Sequence, residues 1–189
     1  MGLGEAYKRW RHTRGYGVHS PYAYMIVKEI LKTPKGAQYY GEGEIEQTIV
    51  KSSDRRWRKT AKFLLRLAAR LDVGSTFIDA GLAKHKTLTT ALRLANSRMS
   101  VTSEVQLIGN SRLLITNGET VSMEQLTDLL ERPGRIILML NAPAGWDKKL
   151  FEALDEGVML HDKKSFLIIS RPGMQKVSYG IRLRLGGER

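Results

Sequence analysis

"STFIDAGLAKHKT", residues 75–87, decides how the chain is read. A short apolar run ends in Asp79, Gly81 opens a connection, and a helix-forming stretch follows from Thr87. Strand, turn and helix in that order begin a β-α-β unit, and in nucleotide-binding units the helix N-terminus attracts the ligand's negative charge. Three ligand readings of this turn are open. As a Rossmann-type loop it has the acid and the first glycine, while Ala83 and His85 stand where further glycines would let the backbone approach a ligand. As a P-loop it has Lys86-Thr87, but Ala80 and His85 replace the two required glycines. Lys84, His85 and Lys86 beside a helix N-terminus also suit a simple anion. Against all three stands an ordinary connection, in which Gly81 makes a turn and the lysines face solvent.

Towards the C-terminus the pattern alternates. "MSVTSE" (99–104), "SRLLITNG" (111–118), "RIILMLNA" (135–142) and "SFLIISRP" (165–172) predict strands, with His161-Asp162 in a loop before the last of them. Helical patterns cover 87–97, 122–132 and 146–158, and Ser122 with Gln125 three residues later makes a capping box. "VSYGIRLRL" (177–185) alternates at period two and predicts a last strand, antiparallel and near an edge. Strands separated by helices predict an α/β fold: a three-layer, Rossmann-like sandwich with a mainly parallel sheet. Ligands of such sheets sit outside the carboxyl ends of the strands, which places residues 79–87 at the candidate site.

Residues 1–72 read as an N-terminal helical region packed on this 73–189 core. In "SPYAYMIVKEILKTP" (20–34), Ser20 is the expected N-cap, Pro21 takes the first helical position, and Tyr24, Val27, Ile30 and Leu31 form an apolar stripe. Pro34 and Gly36 end that element, and "KGAQYYGEGE" (35–44) reads as a turn-rich link. A further helix is expected from Ser53, its cap, to Leu71. Trp57, Ala61, Leu64, Ala68 and Leu71 share one face of it, and Arg55, Lys59, Lys62, Arg66 and Arg70 form a cationic ridge on the other.

The formal net charge is +12. Residues 1–72 hold 15 Lys and Arg against 7 Asp and Glu, and the remainder 16 against 12, so the basic excess sits in the N-terminal third. Such a surplus suits an anionic partner, nucleic acid or acidic protein, although a merely solvated face has the same composition. The absence of cysteine excludes disulfides, thiolate zinc sites and a cysteine nucleophile. His12, His19, His85 and His161 lack metal-chelating spacing, and no GxSxG elbow occurs. The strand ends at Asn141 and at Ser170-Arg171 lack the carboxylate of a general base. No apolar run approaches the roughly 20 residues of a membrane span, and charges from Glu5 to Arg14 interrupt any leader core, so a cytoplasmic protein is expected.

"GYGVHSPYAYMIVKEIL" (15–31) resembles the N-terminal signature of class I S-adenosylmethionine-dependent methyltransferase-like proteins common in Bacteroidetes, which carry a Gly-x-His-Ser-Pro-aromatic segment ahead of the methyltransferase core. The likeness is sharpest over Gly17 to Tyr22 and extends to the order of elements over most of the chain. It implies a methyltransferase-type fold with S-adenosylmethionine held by Asp79 and Gly81 of the first motif and by Glu104 on the ribose hydroxyls. The chain departs from the family pattern at Ala83 and His85, at Asn141 where Asp is common, and at Ser170 and Arg171 where an acidic pair often follows the strand. The span after Glu104 is also short for the helix expected there. The resemblance therefore implies a methyltransferase-like protein with a degraded cofactor site, weakly active or non-catalytic, with no assignable catalytic residue. The alternative is a basic nucleic-acid- or acidic-partner-binding protein on the same scaffold, using the ridge.

Overall fold

Short apolar runs, buried at every position in β3 (Leu113–Thr116) and β4 (Ile136–Met139), supply strands that only a sheet covered on both faces can hold. The computed structural model describes residues 3–32, 41–52 and 55–186. Among them, β1 (Ser75–Ile78), β2 (Ser100–Thr102), β3, β4, β5 (Gly157–His161), β6 (Phe166–Ser170) and β7 (Val177–Gly180) form one sheet in the order β2-β1-β3-β4-β6-β5-β7. All neighbours run parallel except β6, which is antiparallel to β4 and β5. The carboxyl ends of every strand but β6 therefore line one edge of the sheet.

Alternate strand residues enter two different cores, as a period of two demands. Ile78, Ile115, Ile136 and Leu138 pack with helices from the N-terminal region: α2 (Pro21–Met25) and the π-helical turn Ile26–Leu31 that prolongs it, α3 (Glu42–Ser52), α4 (Arg58–Arg70) and, from the core, α6 (Lys86–Ala95). Phe77, Leu114, Ile137 and Met139 pack with α7 (Met123–Leu130) and α8 (Trp146–Ala153). A further helix, α1 (Leu3–Thr13), lies against the edge strand β7. The result is an α/β protein with a mostly parallel mixed sheet, consistent with a Rossmann-like fold. No helix among the described residues is long and apolar enough to cross a membrane.

The expected caps are present: the Ser20 hydroxyl accepts the Ala23 N–H at 3.2 Å, and Ser122 and Gln125 cap α7 reciprocally. Other expectations are corrected. Of the expected link 35–44, residues 35–40 lie outside the described residues and 42–44 open helix α3 instead, whose Ile45 and Ile49, one turn apart, are both buried. The Ser53 cap, Pro34 and Gly36 lie outside the described residues, and α4 begins at Arg58 after a 3₁₀ turn, Arg55–Trp57. Helix α8 stops at Ala153, and "GVMLH" is strand β5, so His161 ends a strand instead of occupying a loop. Strand β7 is an edge strand as expected but parallel. Strand β6 is already paired on both sides, so the chain climbs back alongside β5.

Gly157 makes the β5–β6 pairing possible. Its φ is +139°, and a Cβ there would lie 2.1 Å from the Ile169 carbonyl oxygen. Gly157→Ala is expected to destabilise the protein by about 2–4 kcal/mol, read as a shifted denaturation midpoint, through backbone strain and overlap together.

Candidate functional site

The chain leaves β1 for β2 on one side, while β3 lies on the other. Such a reversal is where an α/β sheet opens a crevice at its carboxyl edge. Asp79 continues β1 into that position. The register pairs Ile78 with Ile115, which sets Asp79 level with Thr116 at the end of β3. Asp79 is fully buried, and its N–H donates to the Ile115 carbonyl at 3.0 Å. One carboxyl oxygen accepts the Thr116 hydroxyl at 2.6 Å and the Asn117 N–H at 2.8 Å, and the other accepts the Thr120 hydroxyl. The Thr116 hydroxyl in turn accepts the Gly118 N–H at 2.9 Å. Residues of the β3–α7 connection thus tie the acid across the reversal point.

Gly81 does not make the expected tight turn. It lies inside a short helix, α5 (Ala80–Ala83), without a left-handed φ, and a Cβ there would meet only the Glu119 carboxylate at 3.4 Å. The Ala83 N–H donates to the Asp79 carbonyl at 2.8 Å, so this backbone is engaged in helix rather than exposed as a cradle. Extending the β1–β2 register sets Glu104 level with Asp79, yet its side chain is exposed and it leads into a 3₁₀ turn, Val105–Asn110, in the span too short for a helix. Lys84 and Lys86 are exposed, and the His85 ring packs on Trp57 with centroids 4.7 Å apart.

The rest of the carboxyl edge is covered by the segment after β7. Ile181 and Leu183 are buried, the Arg184 N–H donates to the Asp162 carboxylate at 3.0 Å, and the Gly186 N–H donates to the Thr60 hydroxyl of α4 at 3.1 Å. Gly186 lies against Asn141, which follows β4 in a left-handed conformation with φ +53°. Ser170 and Arg171 are not at this edge at all, since β6 runs the other way; Arg171 stacks over the Tyr22 ring at 4.3 Å.

The α4 ridge is not a continuous cationic surface. Lys62 lies 2.6 Å from Glu46 and 3.5 Å from Glu42, the largely buried Arg66 lies 3.7 Å from Glu42, and Arg70 lies 2.7 Å from Glu29. The acids come from α3 and the π-helical turn. Arg55 and Lys59 are exposed.

The segment that carries the family resemblance docks elsewhere. The His19 and Ser20 N–H groups both donate to the Tyr179 hydroxyl at 3.2 Å, and the His12 ring meets Tyr179 edge-on. Five cavities of about 220–480 Å³ surround this region, and none is lined by Asp79, Gly81 or Glu104. Sequence reasoning passed over α1 and its surroundings, although Tyr and Trp interleaved with Lys and Arg from Tyr7 to Tyr16 was a visible signal. Among the described residues no three His, Asp or Glu gather as metal ligands. No family model matches the chain, and no curated protein matches it.

Burial lowers the pKa of two histidines at this end. His12 is also near Lys8, Arg11 and His19, against a raising contact from the Gly180 carbonyl; His161 is also near Arg9, against the raising influence of Asp147 and Asp162. A depressed folded-state value means that the native state binds fewer protons than the unfolded chain. The stabilisation is full above the unfolded value of about 6.5 and is lost as pH falls below it. The melting temperature is expected to drop on going from neutral to mildly acidic buffer, and His161→Gln to reduce that drop.

Proposed function

We propose that the chain is a methyltransferase-like protein whose cofactor crevice is filled by its own residues, and that it acts as a non-catalytic binding module. The observation that carries this reading is the engagement of Asp79. A cofactor-binding acid must present oxygen lone pairs to the crevice. A carboxylate has about four such sites, and here three are taken by the chain itself on a fully buried group. Helix α5, in place of a glycine turn, supports the same reading, because the N–H groups of an open loop are what cradle an anion. The segment Gly17–Tyr22 supports the family resemblance, and with it the origin of the scaffold. Exposed Glu104 stands at the right level for a ribose contact but has no neighbouring acid free to complete a site. A weakly active enzyme would require the Asp79 contacts to open. Absence of cysteine fits a cytoplasmic location.

Calorimetric titration with S-adenosylmethionine and S-adenosylhomocysteine is expected to give no heat, and millimolar ligand no rise in melting temperature. Micromolar binding that disappears in Asp79→Asn would overturn the reading. Independently, Asp79→Ala leaves two hydroxyls and an N–H without their acceptor and is expected to cost about 3 kcal/mol in chemical denaturation. A loss below about 1 kcal/mol would show that these bonds do not hold the crevice shut.

A further inference from the structure

Helix α1 carries Lys8, Arg9 and Arg11, with Arg14 just beyond its end, against the single acid Glu5. None of these cations lies within ion-pair distance of a carboxylate of a described residue; the ion pairs of the described residues belong to Glu29, Glu42 and Glu46. Lys163 and Lys164 of the β5–β6 turn and Arg182 and Arg184 of the final segment face α1 across a cavity of about 330 Å³. The one carboxylate in that wall, Asp162, is occupied by the N–H groups of Lys164, Ser165 and Arg184. Arg182 and Arg184 also border a second cavity, of about 260 Å³, with Trp10, Arg14 and Lys32. Burial and the nearby Arg14 and Lys28 lower the pKa of Lys32, as expected where cations gather without acids.

On the other side of α1 lies a cavity of about 480 Å³, walled by Tyr7, Tyr16, Lys8 and Arg11. A smaller cavity between α1 and β7, bordered by Glu5 as well as by Lys8 and Arg9, shares Arg9 with the first cavity and Lys8 and His12 with the third. Tyr7 and Tyr16 are 60% and 61% exposed, unusual for rings of this size. Tyr7 stacks on Trp10 with centroids 5.8 Å apart, and the Arg14 guanidinium lies 4.1 Å above the Trp10 ring. Cations alone would serve a duplex or an acidic protein. Exposed ring faces interleaved with cations serve a strand whose bases are unpaired, the phosphates taken by charge and the bases by stacking.

We infer that the α1 surface, with the adjoining cavities on either side of it, binds single-stranded nucleic acid, with phosphates on Arg9, Arg182 and Lys163 and bases on Tyr7 and Tyr16. The assignment gives the binding module its ligand class and rests on that reading. The cofactor titration and the present test use different ligands, so either can fail alone.

The test is fluorescence anisotropy of the full chain with a labelled oligothymidylate of roughly 20 nucleotides, long enough to exceed one binding site. Between about 50 and 200 mM salt the affinity is expected to fall by at least about tenfold. Tyr7→Ala with Tyr16→Ala should weaken binding about tenfold at fixed salt and leave the salt slope unchanged. Lys163→Glu with Arg182→Glu should lower the salt slope by about one for each lost phosphate contact. Arg55→Glu with Lys59→Glu, in the turn before α4 and at its start, should change nothing. All of these side chains are exposed, and melting temperatures establish that the variants fold. Should the alanine variants melt early, Tyr7→Leu and Tyr16→Leu keep apolar bulk while removing the ring faces. Absence of binding at the lower salt overturns the inference. So does equal affinity for duplex DNA or phosphatidylserine vesicles combined with indifference to the tyrosine variants, and so does loss of binding on the α4 reversal.

Discussion

The Asp79 carboxyl group is the fixed point of the carboxyl edge. It ends β1, and through Thr116, Asn117 and Thr120 it holds the start of the β3–α7 connection against the central strands. A buried carboxyl group is tolerated only with its hydrogen bonds made, so these residues hold one arrangement together. The same contacts determine the chemistry of the edge. Three of the carboxylate's roughly four acceptor sites are taken by its own chain, and the backbone after it is helical rather than open.

Closure of the crevice and exposure of the α1 surface are complementary. The segment after β7 seals the carboxyl edge from β5 to β4 with apolar side chains pointing in, Ile181 and Leu183, and turns Arg182 and Arg184 outward. The period-two alternation of that segment thus produces both a lid and a cationic wall. Along α4, which shares a core with Ile181 and Leu183, the balance of charge is different. The acids of α3 and Glu29 pair with Lys62, Arg66 and Arg70 of the ridge and leave Arg55 and Lys59 exposed, whereas the cations of α1 have only Glu5 on their own helix.

The parts of the fold legible in the sequence are those determined locally. Ser20 and Ser122 announce caps, and continuous apolar runs announce β3, β4 and β6, because each signal needs only its neighbours within one turn or strand. Strand β5 was hidden because "GVML" follows an amphipathic helix without a strong break, and Gly157 serves a strand start rather than a helix end. The parallel direction of β7 is not a local property; it follows from β6 being flanked on both sides. The fate of Asp79 was equally out of reach, since its hydroxyl partners stand 37 and 41 residues further on. Whether an acid at a strand end faces a ligand or its own chain depends on such distant partners. The same holds for the ridge: its cations are visible on one helix, while its acids come from the π-helical turn and from a helix that Gly41 and Gly43 disguise as a link.

The clasp between the His19-Ser20 backbone and the Tyr179 hydroxyl joins residues 160 and 159 positions apart. On the ribosome this has an ordering consequence. Helix α1 and the His-Ser-Pro segment are made well before β7, the strand on which they sit, and have no such edge to rest on until it follows. Contacts of such long sequence separation form late and slowly. Until β7 is made, therefore, the basic and aromatic helix lacks the surface on which it docks in the folded protein.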